Sequence, residues 1–443
     1  MVQSLKQFKG CTMTKLFTQT HLLTFFLTCS LFIFTGCSIK QEQHTVQLPN
    51  QNIELYTHNF ETLPQNLKQN LYQRHFAPWK QKKISLKKKD ASWGTMYAKK
   101  KMYGVNHQRL DASWFEEQLT NANFDEFATQ NLKAITIANT NLRIFPTALP
   151  LFYNPLTAGE GFPFDYNQNS GIKINTPILI SHFTKDKAWA YVESNFASGF
   201  IPTSSLAIVN EEIIQAFKQS TYYVAIKDNF SVYKNGRYKE TIKLGTVFPK
   251  SKYGNFFVVN QHHNLEGYLQ TISVPEDALV HNALKITPQN ITHVIHELLD
   301  EPYGWGEAFL NRDCSALTKD YFAVFGVNLN RNSNQQTKNG QYISLKALSN
   351  EEKKAFILKE GKPFFTLIYL KGHIMLYVGS SKENEPLAFH NLWGIKTKDS
   401  WGNEGRNVVG KAVISELDIG KELDLYDASS SILSKINGIV LIQ

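Results

Sequence analysis

Arg312-Asp313-Cys314-Ser315-Ala316-Leu317-Thr318-Lys319-Asp320-Tyr321-Phe322-Ala323-Val324-Phe325-Gly326 is the stretch around which the rest of the chain can be ordered. Asp313 is a favoured N-cap type, Ala316 to Phe325 reads as helix, and Gly326 ends it, so Cys314 falls at the first helical position. The positive end of a helix can lower a thiol pKa from its free value of about 8.5, and it offers amide donors to an oxyanion. Arg312, Asp313 and Ser315 are also unlike the apolar neighbours of an inert buried cysteine.

A nucleophilic thiol needs a base supplied from elsewhere in the chain. His293 and His296 ride on a helix opened by Thr287-Pro288, whose apolar face is Ile291, Val294, Ile295, Leu298 and Leu299, and they read as its polar face. His373 begins a strand (GHIMLYVG) and His390 ends another (LAFHNLWG). A hairpin with its turn at Ser381 and Lys382 would set His373 directly opposite His390, where one imidazole can orient the other. A slip of one residue would put them on opposite faces. No metal-ligand spacing and no phosphate-binding Gly loop is present, so neither a metal nor a cofactor is expected.

Composition sets the scale. At 443 residues, 42% hydrophobic, 13% aromatic and 19% charged, the chain has room for several domains and too much apolar content for disorder. The formal net charge is +9, of which Lys6, Lys9 and Lys15 sit in a stretch expected to be removed. A mild excess suits cell wall, lipid or nucleic acid and selects none of them, and no nucleic-acid partner is expected. The densest run, Lys82, Lys83, Lys87, Lys88 and Lys89, reads as a solvated face or loop.

Residues 1–36 read as a signal peptide, with Lys15 ahead of the apolar run Leu22 to Phe34. Phe34-Thr35-Gly36-Cys37 resembles a lipobox, so Cys37 is expected to carry lipid and to hold the protein on a membrane. Ser38 is not the Asp that retains such proteins at the inner membrane, which favours an outer membrane facing the periplasm if the cell is Gram-negative. Of Cys11, Cys29, Cys37 and Cys314, the last alone then remains a free thiol. Residues 37–60 read as a polar tether and 61–130 as a helical clasp. Short alternating strands over 131–213 and again over 221–278, the second with a Lys234-Asn235-Gly236-Arg237 turn, read as two small β-barrels similar to bacterial SH3-like domains. Residues 284–443 form the last domain.

Tyr303-Gly304-Trp305-Gly306, Arg312-Asp313-Cys314-Ser315, Arg331-Asn332-Ser333 with Gln335 and Gln336, Gly372 to Gly379, and Phe389-His390-Asn391 together resemble the NlpC-type cell-wall cysteine peptidases. With the upstream barrels, the resemblance reaches nearly the whole mature chain. It implies an α+β protein: a papain-like catalytic domain behind two SH3-like barrels and a helical lead-in. It further implies Cys314 as nucleophile, His373 as base and His390 as orienting residue, with Tyr303, Asp313 and Ser315 gripping the free amine of an N-terminal L-Ala. The implied reaction is cleavage of the γ-D-glutamyl to diaminopimelate bond in peptidoglycan peptides by a monomer. Glu307 stands where a second Gly is common in the family, and Asn330 where Pro often precedes the Arg-Asn-Ser run. Trp393 and Trp401 read as packing or rim residues, and Arg331 has a second reading as a structural clamp. Two other functions fit the same features: a non-catalytic wall-binding lipoprotein, and a thiol amidase or acyltransferase acting on another substrate.

Overall fold

The computed structural model describes residues 45–60 and 67–442. The expected signal peptide, Cys37 and the start of the expected tether lie outside the described residues. Among the described residues no helix is long and apolar enough to cross a membrane.

From Val46 onward the expected tether is instead a strap on the last domain. Val46 and Leu48 pack on Leu392, Ile395 and Leu423, and Ile53 is fully buried in the largest core. Gln51 donates from Nε2 to the Ile414 carbonyl at 2.8 Å and accepts the Ile414 N–H at 2.9 Å. Its side-chain amide thereby satisfies one unpaired backbone position on the edge strand Glu404–Glu416. Polar composition concealed this role, because three apolar side chains and one amide carry it.

The lead-in consists of short helices, among them Leu71–His75, Ala77–Lys80, Lys88–Ala91 and Ala112–Ala122, the last N-capped by Asp111. Trp79 ties it to the barrels: its ring packs on Phe217 and its Nε1 donates to the Ala134 carbonyl at 2.7 Å. The first barrel is an antiparallel sheet of seven strands between Leu132 and Ile208. A long excursion, 144–167, leaves it after Arg143, whose buried guanidinium pairs with Asp165 at 2.7 Å and donates to the Leu149 carbonyl at 2.9 Å. The excursion delivers Phe164 and Tyr166 to Trp305 of the last domain. In the second barrel, Asn235 and Gly236 adopt φ of 48° and 74° in the turn joining Phe230–Lys234 to Arg237–Ile242, as the Asn-Gly pair predicts.

In the last domain the helix Cys314–Val324 lies on a six-stranded antiparallel sheet, ordered Gly340–Ser344, Ile436–Ile442, Thr366–Leu370, His373–Ser380, Pro386–Lys398 and Glu404–Glu416. Leu317, Tyr321, Leu367, Leu376 and Phe389 form the core between helix and sheet. At the junction of both barrels and this domain sits a buried charge cluster. Arg312, 1% exposed, meets Asp320 at 2.7 Å, Glu301 at 2.9 Å and Asp228 at 2.9 Å. Lys243 of the second barrel meets Asp228 at 2.7 Å and Glu301 at 2.9 Å, and Lys173 of the first meets Asp320 at 2.6 Å. With such partners each charge is compensated where an isolated one would be expensive.

The histidine hairpin differs from expectation in register. Leu376 faces Phe389 and Ser380 faces Pro386, with a bulge between Tyr377 and Gly379 and a turn closed by the Ser381 N–H to the Glu385 carbonyl at 2.9 Å. The pairing is shifted by two residues, so His373 and His390 are diagonal rather than directly opposed. An even shift preserves the face, and diagonal neighbours remain within reach of ring side chains.

Candidate active site

Asp313 caps the cysteine helix, its Oδ1 accepting the Ala316 N–H at 2.8 Å. Cys314 follows at the first helical position, buried, with its thiol against the backbone N–H of Ile374, the residue after His373. Burial, and then the Asp313 charge, push the thiol pKa up to about 12 against the donors of Ile374 and Ser315 and the Arg331 charge. The helix terminus therefore does not by itself yield the resting thiolate that the sequence suggested. Desolvation exceeds it.

On the sheet, His373 Nε2 and His390 Nδ1 are 2.7 Å apart, and His390 Nε2 lies 2.9 Å from Ser415 Oγ. Ser415 Oγ spends its single proton on the Glu416 carbonyl at 2.8 Å, so it accepts from His390 Nε2–H. His390 Nδ1 is then bare and accepts from His373 Nε2–H, which leaves His373 Nδ1 without a proton. Burial lowers the His373 pKa to about 4, opposed by the Asp313 charge, and lowers that of His390 well below its ordinary value. Both rings are thus neutral, and the tautomer follows from the chain of bonds.

Tyr303, Asp313, Cys314 and Ser315 line one cavity of about 650 Å³, joined by Glu193 of the first barrel and Trp93 of the lead-in. Burial foremost, with Cys314 and the Asp313 carboxylate beside it, raises the Tyr303 pKa well above its ordinary value, so its hydroxyl stays protonated. The Asp313 carboxylate is less open than the sequence implied: Arg331 grips it with Nη1 at 3.1 Å and Nη2 at 2.9 Å, and Ser315 Oγ donates to it at 3.0 Å. Oδ1 is saturated, whereas Oδ2 receives one donor and keeps a lone pair. The other side of Arg331 meets Glu307 at 2.9 Å and donates from Nε to Ser170 Oγ of the first barrel at 2.7 Å. Arg331 is therefore the clamp of the site.

Glu307 adopts φ of +64°, the left-handed conformation that glycine would take more cheaply. Its Oε2 holds Arg331 and accepts from Ser170 Oγ at 2.9 Å, bonds a glycine could not make. Gly306 beside it has φ of +60°, and a Cβ there would stand 2.8 Å from Gln168 Cγ. Trp393 packs on Phe164 and Tyr303, while Trp401 is 88% exposed at a hairpin tip and packs on no core. Ser415, Glu193, Ser170 and Trp93 were not foreseen. The one sequence sign of Ser415 is a polar residue within the apolar alternation of AVISE. Among the described residues no group of three or more His, Cys, Asp or Glu is placed to hold a metal.

Three segments match known families: 26–127 the N-terminal NLPC_P60 stabilising domain, 150–202 an SH3 domain of SH3b1 type, and 300–392 the NlpC/P60 family. No curated protein matches the chain. Among solved structures, an NlpC/P60 endopeptidase from Photobacterium damselae subsp. piscicida aligns over 90% of this chain and 98% of its own, at 23% identity and a TM-score of 0.80. An NlpC/P60 family protein from Bacillus cereus aligns over 70% of this chain and 99% of its own, at 14% identity and a TM-score of 0.45. The chain thus carries, in order, the NLPC_P60 stabilising domain, an SH3 domain and, over 300–392, an NlpC/P60 domain in which a cysteine helix faces a histidine strand.

Proposed function

We propose that the protein hydrolyses the γ-D-glutamyl to diaminopimelate bond of peptidoglycan peptides that carry a free N-terminal L-Ala. The observation that carries the reaction type is the directed chain Ser415, His390, His373, which leaves a bare Nδ1 on the residue adjoining the amide at the Cys314 thiol. Cys314 Sγ attacks the scissile carbonyl carbon as its proton passes to His373 Nδ1. That proton then goes to the leaving amine as the C–N bond breaks, and water hydrolyses the thioester. Because the resting pair is neutral, proton transfer accompanies attack rather than preceding it. Backbone N–H groups at the head of the cysteine helix are the donors for the oxyanion.

The amine requirement rests on Asp313 Oδ2, which has a lone pair for an ammonium, and on Tyr303 and Ser315 beside it in a cavity walled by the first barrel. We expect L-Ala-γ-D-Glu-diaminopimelate with a free amine to be cleaved at least about tenfold more efficiently than its N-acetyl form, since a buried carboxylate would lose a charged partner. Equal kcat/KM for both peptides would show that Asp313 serves its helix and Arg331 alone.

We further propose that Cys37 is lipidated and that the protein stands on the periplasmic side of an outer membrane. Two acyl chains give stable anchoring, so Cys37→Ser should move the protein from the membrane pellet to the soluble fraction. A pelleted C37S protein would overturn the anchor.

A further inference from the structure

Charge is distributed unevenly along the chain. Residues 67–122 hold ten Lys and two Arg against two Asp and two Glu, a net +8, while the whole chain is +9. All the remaining residues together are thus nearly neutral. Every one of these twelve cations is exposed, and among the described residues one, Lys88, meets a carboxylate, Asp125 at 3.3 Å.

The lysines are solvated, as the sequence suggested, but the backbone that carries them is pinned to the rim of the cavity. Ile84 is buried and its N–H donates to Asn131 Oδ1 at 3.0 Å. The Ser85 and Leu86 N–H groups donate to Glu193 Oε2 at 2.9 and 3.4 Å. Leu86, Trp93 and Tyr97 line the same cavity as Cys314, so Lys82 and Lys83, Lys87 to Lys89, and Lys99 flank its wall-forming residues in sequence.

We infer that this lysine-rich face is a landing surface for the anionic peptidoglycan polymer, holding the cavity beside cross-linked stem peptides whose L-Ala amine has been freed from the glycan. The inference rests on the proposed substrate class. Peptidoglycan presents carboxylates on its γ-linked glutamyl and diamino acid residues at each repeat, and a fixed cationic rim concentrates such a polymer at the cleft. The exposed large apolar side chains of this segment are Trp93, Met96 and Val105, of which Trp93 lines the cavity, so an anionic bilayer is the competing outcome of the test.

The test uses the mature chain carrying Cys314→Ala, sedimented with purified insoluble peptidoglycan over a range of NaCl. Combining K82Q, K83Q, K87Q, K88Q and K89Q should weaken binding about tenfold or more at low salt, and arginine at the same five positions should preserve it. The curves should converge near 0.5 M salt, where charges are screened within a few Å. Peptidoglycan with amidated carboxylates should bind the parent chain no better than the quintuple variant. With Cys314 restored, the quintuple variant should cleave the free tripeptide within about twofold of wild type. The inference falls if the quintuple variant binds as its parent does, if amidation changes nothing, if tripeptide turnover collapses, or if phosphatidylglycerol vesicles or duplex DNA are bound more tightly than peptidoglycan. Failure of the wild type to cut the tripeptide would instead overturn the proposed reaction and leave the binding result standing.

Discussion

Cys314→Ala should lower peptide hydrolysis by at least about 10⁴-fold, since loss of a nucleophile removes the covalent route. It should cost only about 1 kcal/mol of stability, because the side chain is small and its helix retains the Asp313 cap. Single-turnover hydrolysis of the free tripeptide, with urea unfolding as the control, separates the two effects. A variant keeping more than about a hundredth of wild-type turnover would remove the nucleophile from the proposed mechanism. The same measurement distinguishes a hydrolase from a wall-binding scaffold, for which the wild type itself would be silent. Products other than L-Ala-D-Glu and the diamino acid would point to the thiol amidase or acyltransferase alternative.

Arg331→Met should be the most destabilising single change at the site, by about 3–5 kcal/mol, because it leaves the buried carboxylates of Asp313 and Glu307 without their cation. The loss should depend on pH. Burial alone would raise the Asp313 pKa, but the Arg331 guanidinium and the Ala316 and Ser315 donors overcome it and hold that pKa below the ordinary value. A folded pKa below the unfolded one, about 3.9, contributes stability above that pH and loses it as pH falls through the folded value. The gap between wild type and variant should therefore be widest near pH 7 and narrow below about pH 4. Urea midpoints at the two pH values measure it. A gap below about 1 kcal/mol at pH 7, or one that does not narrow in acid, would mean that Arg331 does not hold Asp313 ionised.

What could be read from the sequence was local or periodic. The Asp313 cap and the place of Cys314 follow from a few adjacent residues, because a capping bond spans three positions. That the two histidines share a face follows from the two-residue period of strands, and the even shift of register left it intact. The register itself depended on a bulge at Tyr377 and Gly379 and on the Ser381 to Glu385 turn, neither of which the hydrophobic pattern marks. Quantities set by burial were out of reach. The thiol's raised pKa reflects packing against the whole domain, and the Glu307 contact with Ser170 joins positions 137 residues apart. The strap was misread for a related reason. Composition reports average polarity, whereas one buried Ile53 and one paired Gln51 decide where 46–60 lies.

The Arg312 cluster bears on how this architecture can be inherited. SH3 modules are commonly pictured as beads that recombination adds or removes freely. Here Asp228 and Lys243 come from one bead, Lys173 from the other, and Arg312, Glu301 and Asp320 from the last domain. Arg312, Glu301 and Asp320 would keep one another if either bead were excised, but each excision removes a partner from the cluster and uncovers charges that are now buried, so neither bead can be exchanged without compensating changes elsewhere. The three domains should accordingly melt in one calorimetric transition and pass through evolution as a single cassette.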